Sequence, residues 1–194
     1  MFLRGEMEEL IIKIFEKIKK GAVFDIYRDA YVVIKNGMVN EETRTVAIQY
    51  GEMLSEEIEN EIRCSSSEEK VVQLFNLHRK LLLCLAPYRF ESFLLYIEWD
   101  REPDKKFYPP RRKALKLVVE ALQDLADDQL DLLAVSMPPG AGKTTLAIFY
   151  LTWMAGRTPN EPMLTGSHSN SFIRGVYDEC LRIFDPVGDY LWMI

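Results

Sequence analysis

The residues with the clearest chemical potential form a glycine-rich loop at 137–145, with the sequence MPPGAGKTT. Glycines let the backbone turn tightly and direct N–H groups at phosphate oxygens, and a helix starting after the loop adds partial positive charge. In this Walker A pattern, Lys143 would reach the β- and γ-phosphates of ATP and the Thr144 hydroxyl would ligate Mg²⁺. Lys143 and Thr144 are therefore the predicted catalytic residues, with ATP and Mg²⁺ as the predicted ligands.

The remaining loop residues are predicted to complete the phosphate cradle. Thr145 would donate to an α-phosphate oxygen, and the predicted cofactor-binding stretch is Pro139, Gly140, Ala141, Gly142, Lys143, Thr144 and Thr145. Met137 stands where the pattern usually has its first glycine. Pro138 and Pro139 have no N–H group, so the donors must come from Gly140 onward. A chance glycine-rich turn is the alternative interpretation.

The segments around this loop predict how it is held. The apolar run at 130–136 and the segment 162–167 resemble short buried strands, whereas 144–155 and 170–184 resemble helices. Alternating strands and helices are typical of a parallel sheet built from βαβ units. We therefore expect an α/β fold over residues 101–194, forming the N-terminal portion of a P-loop ATPase domain.

Residues 1–100 predict a different organisation, an α-helical N-terminal extension. Apolar residues recur at three- and four-residue steps, which predicts one buried helical face, in Met7, Leu10, Ile11, Ile14, Phe15 and Ile18. Ser66 followed by Glu69 fits a capping box at the start of a later helix. The sequence REPD at 101–104 resembles a linker and suggests the domain boundary near residue 100.

Composition narrows the classes of protein. The chain has 194 residues and a net charge of −6, but residues 100–116 carry seven basic and three acidic side chains. Three cysteines without CxxC spacing and two histidines argue against a disulfide framework or a zinc site. No run of about 18 uncharged apolar residues predicts a membrane span. The N-terminus has no long apolar signal region, so we expect a cytoplasmic protein.

Hydrolysis of ATP would need a further carboxylate that helps to hold Mg²⁺ and to position water. No run of four apolar residues followed by Asp or Glu occurs between the loop and Ile194. The segment 93–98 has that pattern, but it precedes the loop and continues a helix. We therefore expect the chain to be truncated inside its ATPase domain and to be inactive by itself.

Four segments together resemble the large terminase subunit of tailed phages and prophages. They are YIEWDR at 96–101, KFYPPRRK at 106–113, PPGAGKTT at 138–145 and TGSHSN at 165–170, the last followed by a helix with Arg174. The resemblance covers about residues 85–194. It implies an ATPase that drives double-stranded DNA into a procapsid in the host bacterial cytoplasm. The implied partners are the DNA, the portal protein, the small terminase subunit and further copies in a ring; a C-terminal nuclease domain of the family has no counterpart here.

The resemblance also places Phe107 and Tyr108, with Arg111 and Arg112, where related motors hold adenine by stacking and hydrogen bonding, and Tyr108 and Arg112 are the predicted contacts. Two alternatives remain for this basic segment, a solvated first helical turn and a contact with the DNA backbone. The segment 167–169 would either sense DNA or simply cap the next helix. For the whole chain, the alternatives are another P-loop motor of the helicase or AAA type, or a nucleotide-binding fragment without catalysis.

Overall fold

The computed structural model describes residues 4–21 and 23–184. The chain forms two compact units, Met1–Ala86 and Pro87–Ile194. The first contains α1 (Arg4–Lys19), α2 (Phe24–Val39), α3 (Glu41–Cys64) and α4 (Glu68–Leu85). The second contains α5 (Phe90–Ile97), two 3₁₀ turns (Pro103–Lys105 and Pro109–Arg111), α6 (Arg112–Ala126), α7 (Lys143–Arg157) and α8 (Asn170–Phe184).

The first unit is a bundle whose helices bury the apolar faces predicted from periodicity. In α1 the buried residues are Met7, Ile11, Ile14, Phe15 and Ile18. Helix α2 approaches its neighbours closely at Gly37, where an added Cβ would lie 3.0 Å from Cβ of Ala47. The N-cap of α4 is Ser67, whose hydroxyl accepts from the Lys70 amide at 3.4 Å, rather than the predicted Ser66.

The core of the second unit is an aromatic cluster between α5 and α7. The ring of Phe90 lies 5.2 Å from that of Trp153 and meets Tyr150 edge-on at 5.4 Å, measured between centroids. Phe90 and Trp153 are fully buried. Burial of such rings is the main favourable term available to a small helical unit, so this cluster fixes α7 relative to α5.

An ionic cluster connects the start of α5 to the C-terminal ends of α6 and α7. The carboxylate of Asp127, just after α6, accepts from Arg157 at 2.6 Å, from Gln123 at 2.9 Å and from Arg89 at 3.5 Å. Arg157 also lies over the Trp153 ring, 5.1 Å from its centroid. Asp127 therefore joins the residue before α5 to the last residues of α6 and α7.

The predicted α/β fold with a parallel βαβ sheet is wrong for the part of the chain that the structure describes, which is helical and contains no strand. The predicted helices after the loop are present as α7 and α8, but segments 130–136 and 162–167 are irregular. Leu132 is 84% exposed and Leu164 is 99% exposed. A strand exists only through hydrogen bonds to a neighbouring strand, and neither apolar run is paired here.

Candidate phosphate-binding site

The loop at 137–145 has a backbone that requires glycine at two positions. Gly140 has φ of +79° and Gly142 has φ of +94°, both in the left-handed region that other residues rarely adopt. The Ala141 amide donates to the Pro138 carbonyl at 3.2 Å, which closes the turn before α7. Two left-handed glycines separated by one residue let the amides of a tight turn point towards one phosphate, which is compatible with the predicted role.

Helix α7 begins at the residue that the Walker A pattern requires. Gly142 is its N-cap, and its carbonyl accepts from the Leu146 amide at 2.9 Å as the first helical bond. The amides of Lys143, Thr144 and Thr145 come before Leu146, the first helical donor, so they have no acceptor within the helix. The positive end of the helix dipole therefore coincides with three donors, which is the arrangement that binds anions.

The two predicted catalytic side chains are accessible at this helix start. Lys143 and Thr144 are exposed, and Thr145 is half-buried. The ammonium group of Lys143 donates to the Met137 carbonyl across the loop. Thr144 could provide one hydroxyl ligand to Mg²⁺, with phosphate oxygens as further ligands. In residues 4–21 and 23–184, no cluster of three or more His, Cys, Asp or Glu side chains could hold a metal ion.

An aromatic side chain from the segment before α6 packs against the loop. A Cβ added to Gly142 would lie 2.6 Å from Cζ of Phe107, so the ring occupies the space that any other residue would need. The Phe107 ring also lies 5.9 Å from that of Phe149 in α7, and the Arg111 guanidinium lies 5.3 Å from its centroid. Phe107 therefore joins the basic segment to the glycine-rich loop at 137–145.

Glu98, the acid at the end of the rejected segment 93–98, holds the backbone of this aromatic segment, a role that its sequence pattern does not indicate. One carboxylate oxygen accepts from the Phe107 amide at 2.8 Å and the other from the Tyr108 amide at 2.7 Å. Arg101 donates to the same carboxylate at 2.9 Å. Glu98 is fully buried. A buried carboxylate needs such donors, so its two oxygens fix the turn at 107–108.

Tyr108 and Arg112, the predicted adenine-holding pair, contact the same acid in α5. The Tyr108 hydroxyl and the Arg112 Nε each lie 2.7 Å from Oε1 of Glu91. Tyr108 is fully buried, and this burial, with the adjacent Glu91, raises the pKa of its hydroxyl. Tyr108 could stack on a base only if its ring left this buried position. The adenine role stays a prediction, and it requires that movement.

The segment at 167–169 has a structural role in the helix that follows. The Ser169 hydroxyl accepts from the Phe172 amide at 3.4 Å, and its carbonyl accepts from Ile173 at 3.1 Å. This geometry is that of an N-cap on α8.

Between α7 and α8 lies a cavity of about 670 Å³, lined mainly by apolar side chains and by Arg174. None of the residues that line this cavity belongs to the phosphate loop.

Comparison with known proteins identifies no relative that would assign a role to this site. No protein-family model, curated protein or solved structure matches this chain. Among the helices of the described residues, none has both the length and the apolar character needed to cross a membrane.

Proposed function

We propose that this chain binds ATP with Mg²⁺ through residues 139–145. The observation that carries the proposal is the pair of left-handed glycines, Gly140 and Gly142, immediately before a helix that starts at Lys143. Left-handed glycines, free helical amides and a lysine at this spacing have a common explanation in phosphate binding.

Each residue of the loop has a distinct task in this proposal. The amides from Gly140 onward surround the phosphates, and Lys143 exchanges the Met137 carbonyl for the β- and γ-phosphate oxygens. The Thr144 hydroxyl holds Mg²⁺, and Thr145 donates to the α-phosphate. Bound Mg²⁺ would neutralise charge on the phosphate chain.

Within this proposal, the chain is the ATP-binding part of a terminase-type DNA-packaging motor. The support is the resemblance of four segments over residues 85–194 and a set of exposed cations in the basic segment, Arg101, Lys105, Arg111, Lys113 and Lys116. Exposed cations of this kind contact the phosphate backbone of double-stranded DNA without reading its sequence. Double-stranded DNA, portal protein, small subunit and a homo-oligomeric ring are the proposed partners.

A second candidate function is nucleotide binding without hydrolysis. Two acids near the aromatic segment are engaged elsewhere, because Glu98 accepts from two amides and Glu91 accepts from Tyr108 and Arg112. Both oxygens of Glu98 accept from backbone amides, so this acid is not placed to orient an attacking water, and Glu91 already accepts two donors on Oε1. Steady-state phosphate release tests the second candidate: turnover near one per second that Lys143→Ala abolishes would exclude binding without hydrolysis, whereas no turnover at saturating ATP is the result expected for this chain by itself.

Titration calorimetry with ATP, ADP and AMP in the presence of Mg²⁺ tests the binding proposal itself. A phosphate loop obtains most of its affinity from the β- and γ-phosphates, so affinity should fall steeply from ATP to AMP. Lys17→Ala, which removes an exposed lysine from α1, is the matched control for changes in charge. Equal affinity for the three nucleotides, or no binding, would remove the phosphate-loop assignment.

A further inference from the structure

We propose that Phe107 is a positioning residue for the phosphate loop. Its ring packs against Gly142 and keeps the loop amides in the arrangement that binds phosphate. This inference rests on the proposed function and deepens it, because it identifies a residue outside the Walker A pattern on which phosphate affinity depends. Phe107 belongs to the segment that was predicted to hold the base of the nucleotide. The contact with Gly142 instead places it against the phosphate-binding backbone.

The first support is the closeness of the contact. A Cβ at Gly142 would overlap the ring, since Cζ of Phe107 would be 2.6 Å away and Cε2 nearer still. At Gly140, the other left-handed glycine, an added Cβ would meet no atom within 4 Å. The ring therefore packs against one specific position of the loop, the residue whose φ of +94° turns the chain into α7.

The second support is that the ring is itself held firmly. Both carboxylate oxygens of buried Glu98 bind consecutive amides at 107–108, so the backbone that carries the ring is fixed. Phe149 in α7 packs on the ring from the helix side, and Arg111 lies over it. A rigid backbone anchor with an aromatic side chain is suited to support a loop of glycines, which otherwise has large conformational freedom.

The consequence concerns the free energy of phosphate binding. Without the ring, the loop has more conformations before it binds, and phosphate must order it, which lowers affinity. This loss would be the same for any ligand that carries a triphosphate, with or without a base. A residue that stacks on adenine would show the opposite selectivity, because its loss would not alter the binding of a ligand without a base.

The test compares Mg²⁺-ATP with Mg²⁺-tripolyphosphate, which has the phosphate chain but no nucleoside, by titration calorimetry on the full chain. Phe107→Ala should weaken both ligands by the same factor, about tenfold, which corresponds to about 1.4 kcal/mol. Phe107→Leu keeps apolar bulk against Gly142 and should restore most of the affinity for both. Phe75→Ala, which removes a half-exposed ring from α4, should change neither.

A double-mutant cycle asks whether the ring acts through Gly142. Gly142→Ala should weaken tripolyphosphate binding strongly in the natural chain, because the methyl group meets the ring and because φ is positive. In the Phe107→Ala background the same substitution meets no ring, so its additional cost should be smaller. Free-energy changes that simply add would show that the two residues are independent.

The outcomes separate this inference from the proposed function. If Lys143→Ala weakens both ligands while Phe107→Ala leaves tripolyphosphate binding unchanged, the proposed function survives and the positioning role is overturned. Loss of ATP affinity alone in Phe107→Ala also overturns it, in favour of a base contact. If the natural chain binds neither ligand, both fail. Circular dichroism and thermal melting of each variant restrict the comparison to folded protein. If Phe107→Ala does not fold, Phe107→Val takes its place, with an equal but smaller loss of affinity expected for both ligands.

Discussion

The ammonium group of Lys143 donates a hydrogen bond to the carbonyl oxygen of Met137, so the side chain folds back across the loop that precedes its own helix. This places a cation beside the left-handed turn formed by Gly140 and Gly142. A phosphate that enters the turn offers Lys143 charged oxygens in place of a neutral carbonyl. The ammonium group already makes a charge-assisted bond to the carbonyl, but an anionic oxygen adds attraction between opposite charges, so the exchange favours the phosphate.

The first prediction follows from this exchange. Lys143→Ala removes the mobile cation of the loop and should weaken Mg²⁺-ATP binding by about 2 kcal/mol, roughly 30-fold. Because the side chain is exposed, thermal stability should hardly change. Calorimetric titration of both proteins with ATP measures the effect, and Lys17→Ala is the control. Equal dissociation constants for the natural chain and Lys143→Ala would contradict the role of the lysine.

The second prediction concerns the shared acceptor Glu91. Tyr108→Phe removes the hydroxyl that donates to Glu91 at 2.7 Å but keeps the buried ring, and Arg112 remains as a donor. The free energy of unfolding should fall by about 1 kcal/mol. Urea denaturation followed by tryptophan fluorescence measures it in the relevant unit, because every tryptophan of the chain lies after residue 87. Unchanged stability would mean that the hydroxyl hydrogen bond contributes nothing net.

The third prediction concerns Asp127 and pH. Burial acts to raise the pKa of this carboxyl, but hydrogen bonds from Gln123 and Arg157, with the charge of Arg89, outweigh it and lower the pKa below the ordinary 3.8. The stability from this group is therefore complete above pH 3.8 and is lost as the pH falls through the lower, folded-state pKa. Asp127→Asn should cost about 2 kcal/mol at neutral pH.

Measurements of unfolding free energy at acid pH test the direction of this effect. Between neutral pH and about pH 3, the difference in unfolding free energy between the natural chain and Asp127→Asn should shrink as the carboxylate is protonated. Asp128→Asn is a matched control, since Asp128 is the exposed neighbour and asparagine tolerates its φ of 55°. A difference that stays constant down to pH 3 would argue that the effect of Asp127 is not ionic.

The fourth prediction gives different roles to the adjacent Arg111 and Arg112, because their surroundings differ. Arg111 is exposed and Arg112 pairs with Glu91, so of these two arginines Arg111 is the one that can contact a DNA backbone without breaking an ion pair. Arg111→Ala should reduce the slope of log binding constant against log salt by about 0.9. Fluorescence anisotropy with double-stranded DNA across a salt series measures it. Arg112→Ala should instead lower stability, and a larger salt effect for Arg112→Ala would reverse the assignment.

Local sequence determined the loop and its helices, since these features depend on residues close together in the chain. The left-handed turn follows from Gly140 and Gly142, and α7 begins at Lys143, the position that the Walker A pattern indicates. Helix α1 and its buried face follow from apolar spacing, because helical hydrogen bonds join residues four apart.

The tertiary structure alone decided the features that join distant residues. The apolar runs at 130–136 and 162–167 predicted strands, yet strand formation depends on a partner, and none pairs with them in the described part of the chain. The binding of Glu98 to the amides of Phe107 and Tyr108, and the contact of Phe107 with Gly142, span 9 to 35 residues. Composition carries no signal for such contacts, because the packing of α5 and α7 sets where these side chains meet.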